Sequence, residues 1–355
     1  MLDFTSALYL GMTHPSASLR PWARLTTGTP AALSTPAAAL RVAGALAGLQ
    51  GCAAATVARS TLHAFWDLVP LWAGPGTALY IDAGAYPVSR WAAERAASHG
   101  TLVHTFPHLD ASALRRRISG DAGRRPVVVA DGVCGGCGRV TPVAAHLAAA
   151  RRQGGLLVLD DTQALGLLGH DAGPAAPFGQ GGGGSLRFCG VSSPHVVLVS
   201  SLAKALGVPM TVICGPASLI QRLEETGETR VYSSPPSLAD LHAAEHALAG
   251  NLAGGDRLRR RLARLVEAFQ AAIRDLGPRW LGLLNGIFPV QNIAVPAAAA
   301  RQIHQELLRR GVLTVLLRET CQRGPAIGFV ITVTHTRADV ERAGHALRAT
   351  LRAVR

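Results

Sequence analysis

The stretch "HVVLVSSLAKALG", His195 to Gly207, carries the single lysine of the chain, Lys204; the other 34 of the 35 basic residues are arginines. Its first half is a Val/Leu run of the kind that fills a strand buried on both faces, and Lys204 lies three residues beyond Ser201. Lysine offers what arginine lacks, a primary amine that can lose its proton and attack a carbonyl to form a Schiff base. A surface lysine that survived by chance is the plain alternative, and the surroundings decide between the two.

Similar short apolar runs fill the middle of the chain: "TALYIDAG", "GTLVHTF", "RPVVVADG", "GGLLVLDD" and "MTVICGP", each bounded by turn residues. Helical patterns such as "PVSRWAAERAASHG" and "TPVAAHLAAARRQGG" lie between them. This alternation predicts an α/β fold with a largely parallel sheet covered on both faces. From about residue 238 a long helical stretch leads into a smaller α+β pattern. The expected division is an N-terminal arm over 1–34, a large domain over 35–240, and a connecting helix with a small C-terminal domain over 241–355. "GQGGGGS", Gly179 to Ser185, reads as a flexible loop with no phosphate-loop spacing and no helix after it.

Hydrophobic residues make up 48% of the 355 and charged residues 16%, which suits a compact enzyme and argues against disorder. No apolar run reaches membrane-span length, and the first residues lack a basic leader, so a cytoplasmic protein is expected. The net charge of +13 invites a nucleic-acid reading, but the arginines are spread through helical patterns and aromatic residues are only 5%, too few for a stacking platform. A basic exterior serves equally for coenzyme A esters or an acidic carrier protein. Of six cysteines only Cys134 and Cys137 form a Cys-x-x-Cys pair. A four-ligand zinc site would want a second pair, so these two read as small loop residues after a strand, with a redox role as the alternative.

Ligands of an open parallel sheet gather at the carboxyl ends of its strands. "GGLLVL" ends in Asp160 and Asp161, and "HVVLV" ends in Ser200 and Ser201 just ahead of Lys204. An amine and a carboxylate on neighbouring strand ends are what pyridoxal phosphate requires, the amine for its aldehyde and the acid for its ring nitrogen.

"LVLDDTQALGLLG" followed by "SSLAKALG" resembles the α-oxoamine synthase group of fold-type-I pyridoxal phosphate enzymes, in the class I/II aminotransferase superfamily, which includes 8-amino-7-oxononanoate synthase and 2-amino-3-ketobutyrate ligase. "LDFTSALYLGMTHPS", "FPHLDASAL" and "VYSSPPSLADL" extend the resemblance over nearly the whole chain. It implies that Lys204 forms the Schiff base, that Asp160 partners the pyridine nitrogen, and that Ser201 meets the phosphate. Gly51 and Cys52 fall where the family has a turn offering backbone N–H groups to the phosphate at a helix start. Ser233 and Ser234 match a stretch that reaches the phosphate of the other subunit, which implies a homodimer with shared active sites.

Departures from the family pattern fall around the substrate. Tyr86 stands for the ring-stacking His, and Gln163 for the His that bonds the phenolic oxygen. Ala7 and Gly328 replace an Asn and an Arg that hold the amino-acid carboxylate, leaving Arg230, Arg318 or Arg323 to compensate. His63, His104, His108 and His335 could join an acid/base network, His108 with the better claim because its segment matches. The expected function is condensation of an amino acid or related amine with an acyl thioester. A specialised aminotransferase is the alternative, and a non-catalytic homologue the remaining one.

Overall fold

The computed structural model describes residues 1–14, 24–121, 123–276, 286–318, 321 and 324–353. In chain order the elements are β1 (Leu2–Asp3), α1 (Ala37–Gln50), β2 (Ala54–Ala58), α2 (Thr61–Leu68), β3 (Thr77–Asp82), α3 (Pro87–Ser98), β4 (Leu102–Phe106), α4 (Ala111–Gly120) and β5 (Arg125–Asp131). They continue with α5 (Val143–Arg151), β6 (Leu156–Asp160), α6 (Ser185–Phe188), β7 (Val196–Ser201), β8 (Thr211–Gly215), α7 (Ala217–Thr226), α8 (Glu228–Tyr232) and α9 (Leu238–Ile273). The last are β9 (Val290–Ala294), α10 (Ala300–Arg309), β10 (Val312–Leu313), β11 (Val315–Leu317), β12 (Ala326–Val330) and α11 (Arg337–Ala353).

Seven strands form one sheet in the order β2-β8-β7-β6-β5-β3-β4. All pairings from β7 to β4 are parallel, whereas β8 runs against both of its neighbours. Every residue of β3, β6 and β8 is buried, which is why those strands read as unbroken apolar runs. The edge strand β2, "AATVA", is mostly half-buried and rich in Ala, so its sequence carries no such signal. Because β2 and β7 both oppose β8, they point the same way. The carboxyl ends of β2, β3, β5, β6 and β7 therefore share one edge of the sheet.

A three-stranded antiparallel sheet, β11-β12-β9, lies towards the C-terminus, and β1 pairs in parallel with β10. Phe4, Tyr9 and Leu10 are buried in the same cluster as Phe269, Phe329 and Leu347, so the start of the chain is packed with its end. The 36-residue helix α9 begins with a Ser237/Asp240 capping box and ties the two sheets together. Leu241, Ala244 and Ala247 near its start join Val42, Leu46 and the seven-stranded sheet, while Leu262, Val266, Phe269 and Ile273 near its end join the C-terminal cluster.

The glycine run departs from the expectation of a flexible loop. Gly182, Gly183 and Gly184 are buried, Gly166 N–H donates to Gly182 O, and Gly184 N–H donates to Leu168 O. Glycine is required because side chains there would collide with packed groups: a Cβ at Gly182 would stand 2.6 Å from the Arg259 guanidinium. Arg259, 1% exposed, donates to Gly166 O at 2.7 Å and to Asn251 Oδ1 at 2.8 Å and pairs with Asp256, fixing the run from α9. A short helix, α6, does come after the run, but its four residues are too few to bind a phosphate.

His146 on α5 is fully buried against Phe106 with both ring nitrogens unpaired. Burial pulls it down to about 4, against the opposing pull of Asp82 and Asp110. The unfolded chain, with an ordinary imidazole near 6.5, therefore binds the extra proton between these values, and stability falls as pH drops from about 6.5 to about 4. His146→Leu should remove this loss, a difference reaching about 3 kcal/mol at pH 4 when wild type and variant are compared by urea unfolding.

Candidate active site

The shared edge of the seven-stranded sheet gathers Asp82 from β3, Asp131 from β5, Asp160 from β6 and Ser201 from β7. Asp131 and Asp160 are register partners, so two carboxyls sit side by side at the strand ends. Burial, together with the neighbouring Asp160, raises the Asp131 carboxyl well above the usual range. Burial also raises Asp160, while Thr162 and Lys204 hold it down. Lys204 shows the converse: burial lowers its amine below the ordinary lysine value, and Asp160 works against that. The two groups predicted from neighbouring strand ends therefore act on each other electrostatically.

Thr162 links the two strand ends. Its N–H donates to Asp160 Oδ1 at 3.1 Å, and its hydroxyl accepts from Ser201 N–H at 3.0 Å. Ser201 Oγ accepts from Ala203 N–H at 3.2 Å and keeps its own proton free to donate. Gln163 is next on the same turn. Tyr9, buried and carried in from the N-terminal segment, donates to Gln163 Oε1 at 2.6 Å. That bond fixes which end of the amide faces away: Nε2 lies 3.0 Å from where a Cβ on Gly135 would be. Asp161, fully buried, has Oδ2 accepting from Ser185 N–H at 3.0 Å and lies against Gly132 and Gly184, where a Cβ would overlap it. Burial raises it to about 6.

Tyr86 caps the start of α3 with its side chain exposed, and its N–H donates to Asp131 Oδ1 at 3.1 Å, which places it next to the strand-end carboxyls. Gly51 and Cys52 are not at a helix start. Gly51, at φ +75°, terminates α1, and both N–H groups are spent on Ala47 and Gly48 carbonyls of that helix. A helix C-terminus is the negative end of the dipole and repels a phosphate; Arg187 covers it instead, donating to Gly48 O and Leu49 O. The helix start on the site's edge is that of α2, after β2, where Ser60 caps His63 N–H. Sequence reasoning missed it because β2 is not legible as a strand.

Ser233 closes α8 and donates to Thr229 O at 2.7 Å, and Ser234 beside it is exposed. Ala7 packs half-buried on the C-terminal cluster. Gly328 lies in the middle of β12, and a Cβ there would stand 2.9 Å from Asn292 Oδ1, so Asn292 occupies the space above it. Arg230 is spent on Thr56, Thr35 and Ala31 O and cannot compensate for a missing carboxylate ligand. Arg318 is exposed just past β11, and Arg323 lies outside the described residues. His63 bonds Ser60, His104 pairs with Asp121 at 3.0 Å, and His335 bonds Asp3 O, each a structural partner. His108 is joined to Asp82 at 2.6 Å on the site's edge.

The family model for class I and II aminotransferases matches residues 37–347. The chain belongs to that family. It is 34% identical over 247 residues to an 8-amino-7-oxononanoate synthase of Alkalilimnicola ehrlichii, covering 68% of this chain and 59% of that protein. A synthase of the same name from Nitrosospira multiformis is 30% identical over 251 residues with the same coverage. The chain thus spans about 59% of the length of these curated relatives. Among solved structures, serine palmitoyltransferase from S. paucimobilis superposes with a TM-score of 0.85 at 18% identity, covering 99% of this chain and 87% of that one. An 8-amino-7-oxononanoate synthase from Francisella tularensis gives 0.76 at 15% identity, covering 99% and 98%. The family therefore has the same fold as this chain, the fold-type-I arrangement expected from the two motifs.

Tyr9→Phe keeps the ring packed edge-on to Phe288 and removes only the donor to Gln163. The expected loss is about 1–2 kcal/mol in urea unfolding. Leu252→Ser, at a position 90% exposed, should stay within about 0.5 kcal/mol of wild type in the same measurement.

Proposed function

We propose that this chain is a pyridoxal phosphate-dependent transferase of the α-oxoamine synthase kind. It would join an amino acid or related amine to an acyl thioester with loss of carbon dioxide. The observation that carries the reading is the pairing of Lys204 with Asp160 on adjoining strand ends, with the Gln163 amide already oriented by Tyr9.

The residues fit the cofactor. Lys204 is the amine for its aldehyde, Asp160 the acid for its ring nitrogen, and Gln163 Nε2 the donor for its phenolic oxygen. Tyr86 supplies an aromatic face, while Ser201 and the α2 N-terminus serve the phosphate in place of Gly51 and Cys52. When bound, pyridoxal phosphate supplies an electron sink for the substrate's α-carbon. The chain does the rest. Burial favours the neutral amine of Lys204, which would hold the cofactor at its aldehyde and would take and return protons at the substrate's α-carbon. Asp160 would hold a proton on the ring nitrogen. Asp131, pushed towards its neutral form by burial and by Asp160, lessens the negative charge beside it.

The surface suggests the partners. Leu62, Trp66, Tyr86, Trp91 and Tyr232 are exposed on α2, α3 and α8, next to Ser233 and Ser234. A second copy covering this face would bury them and bring the serines to its phosphate, a homodimer with shared sites. The charge of +13 favours a coenzyme A ester or an acidic acyl carrier protein as donor. Among the described residues no helix is long and apolar enough to cross a membrane, and the free cysteines suit a reducing cytoplasm.

Gly328 with Asn292 above it favours a second reading, a specialised aminotransferase whose substrate is not held by an arginine at that position. Incubation with amino acids and acyl thioesters separates the two. Thiol release with carbon dioxide is expected for condensation, falling about 10²- to 10⁴-fold in Lys204→Ala. Accumulation of pyridoxamine phosphate without thiol release would establish transamination instead.

A further inference from the structure

Cys134 and Cys137 are not ordinary loop residues. The Cys134, Cys137 and Cys321 thiols and the His108 imidazole offer four ligand atoms that all lie within 4.8 Å of one another. Cys134 and Cys137 are 3% and 4% exposed, with Leu109 packed beside them. The four come from separate places: His108 from the turn after β4, the cysteine pair from the loop after β5, and Cys321 from the segment joining β11 to β12.

We propose that these four side chains bind one zinc ion, with every coordination position filled by protein. Three thiolates and an imidazole are a zinc set, and four protein ligands make a closed tetrahedral site of the structural type. Zinc–sulfur bonds of about 2.3 Å put tetrahedral sulfurs roughly 3.8 Å apart, so the cluster needs to contract by no more than about 1 Å. The His108 ring is oriented to act as a ligand, with Nε2 lying 3.4 Å from Cys137 Sγ and Nδ1 bonded to Asp82 Oδ1 at 2.6 Å. That carboxylate–histidine arrangement sets the tautomer and ring orientation of a metal-bound imidazole. Asp82 is itself anchored, accepting Leu109 N–H at 2.8 Å where Leu109 adopts φ 60°, an uncommon conformation for leucine.

Room has been made as well. A Cβ on Gly84 would overlap the His108 ring, and one on Gly136 would stand 3.0 Å from Cys321 Sγ. Asn292 Nδ2 donates to Gly135 O at 3.2 Å and Gly136 O at 2.7 Å, holding the pair's loop from β9. A disulfide between Cys134 and Cys137 would leave Cys321, His108 and this support without a purpose. The ion would staple the C-terminal sheet to the strand-end edge of the large sheet. It would also hold Gly135 against Gln163, forming one wall of the site. The proposal stands on these four side chains and does not depend on the reaction assigned above.

Elemental analysis of the full chain, purified without chelator, tests it. About one zinc per chain is expected, released on titrating the thiols, and lost in both Cys137→Ser and Cys321→Ser. If either variant fails to fold, cobalt(II) exchanged into the wild type decides, with the intense visible bands of tetrahedral thiolate coordination expected. Metal-free wild type with a Cys134–Cys137 disulfide, a pale octahedral cobalt spectrum, iron in place of zinc, or undiminished zinc in both variants would each overturn the assignment.

Discussion

The structure turns on a half-buried amine just beyond one strand end set against a buried carboxylate at the end of the adjacent parallel strand. Lys204 and Asp160 each suffer from desolvation and each relieves the other. Such a pair is weak evidence for stability, because the same chain with apolar residues there would fold at least as well. It does suit chemistry that needs a neutral amine: burial lowers the proton affinity of Lys204, and Asp160 stands opposite it. The parallel register of β6 and β7 brings these groups together, and Thr162 fixes the spacing by bonding to both strand ends.

Around that pair the edge of the sheet is crowded with acids. Asp82, Asp131, Asp160 and Asp161 cannot all be charged and buried without large cost, and each is handled differently. Asp82 accepts N–H bonds and His108, Asp161 takes the Ser185 N–H in a cradle of glycines, and Asp131 shifts towards its neutral form. Gly328 and Asn292 change the neighbouring wall. Gly328 leaves room for the Asn292 amide, which grips the cysteine loop, so one side chain ties β12 and β9 to the cysteine cluster.

Much of the molecule is legible in the sequence wherever the signal is local. Buried strands β3, β5, β6, β7 and β8 announce themselves as Val/Leu/Ile runs, and Lys204 and Asp160 stand out as the polar residues placed at or just beyond the ends of such runs. β2 escapes notice because an Ala-rich edge strand needs little hydrophobicity, and with it goes the helix start at Thr61. Gly51 looks like the anion turn in its place, yet its position at the end of α1 inverts the dipole. The glycine run reads as flexible only when its neighbours are unknown, since the glycines answer collisions with Arg259 and Asp161 supplied from elsewhere. The cysteine pair reads as isolated in the sequence for the same reason. Its partners His108 and Cys321 lie on other elements, and only tertiary structure brings them within ligand distance.

The central claim, that Lys204 is the amine to which the cofactor attaches, is tested most directly by absorbance after adding pyridoxal phosphate and removing the excess. Wild type should retain a band at roughly 420 nm that borohydride abolishes while fixing the cofactor to the peptide containing Lys204. Lys204→Ala should show no such band. Persistence of the band in Lys204→Ala, or its absence from wild type, would contradict the account.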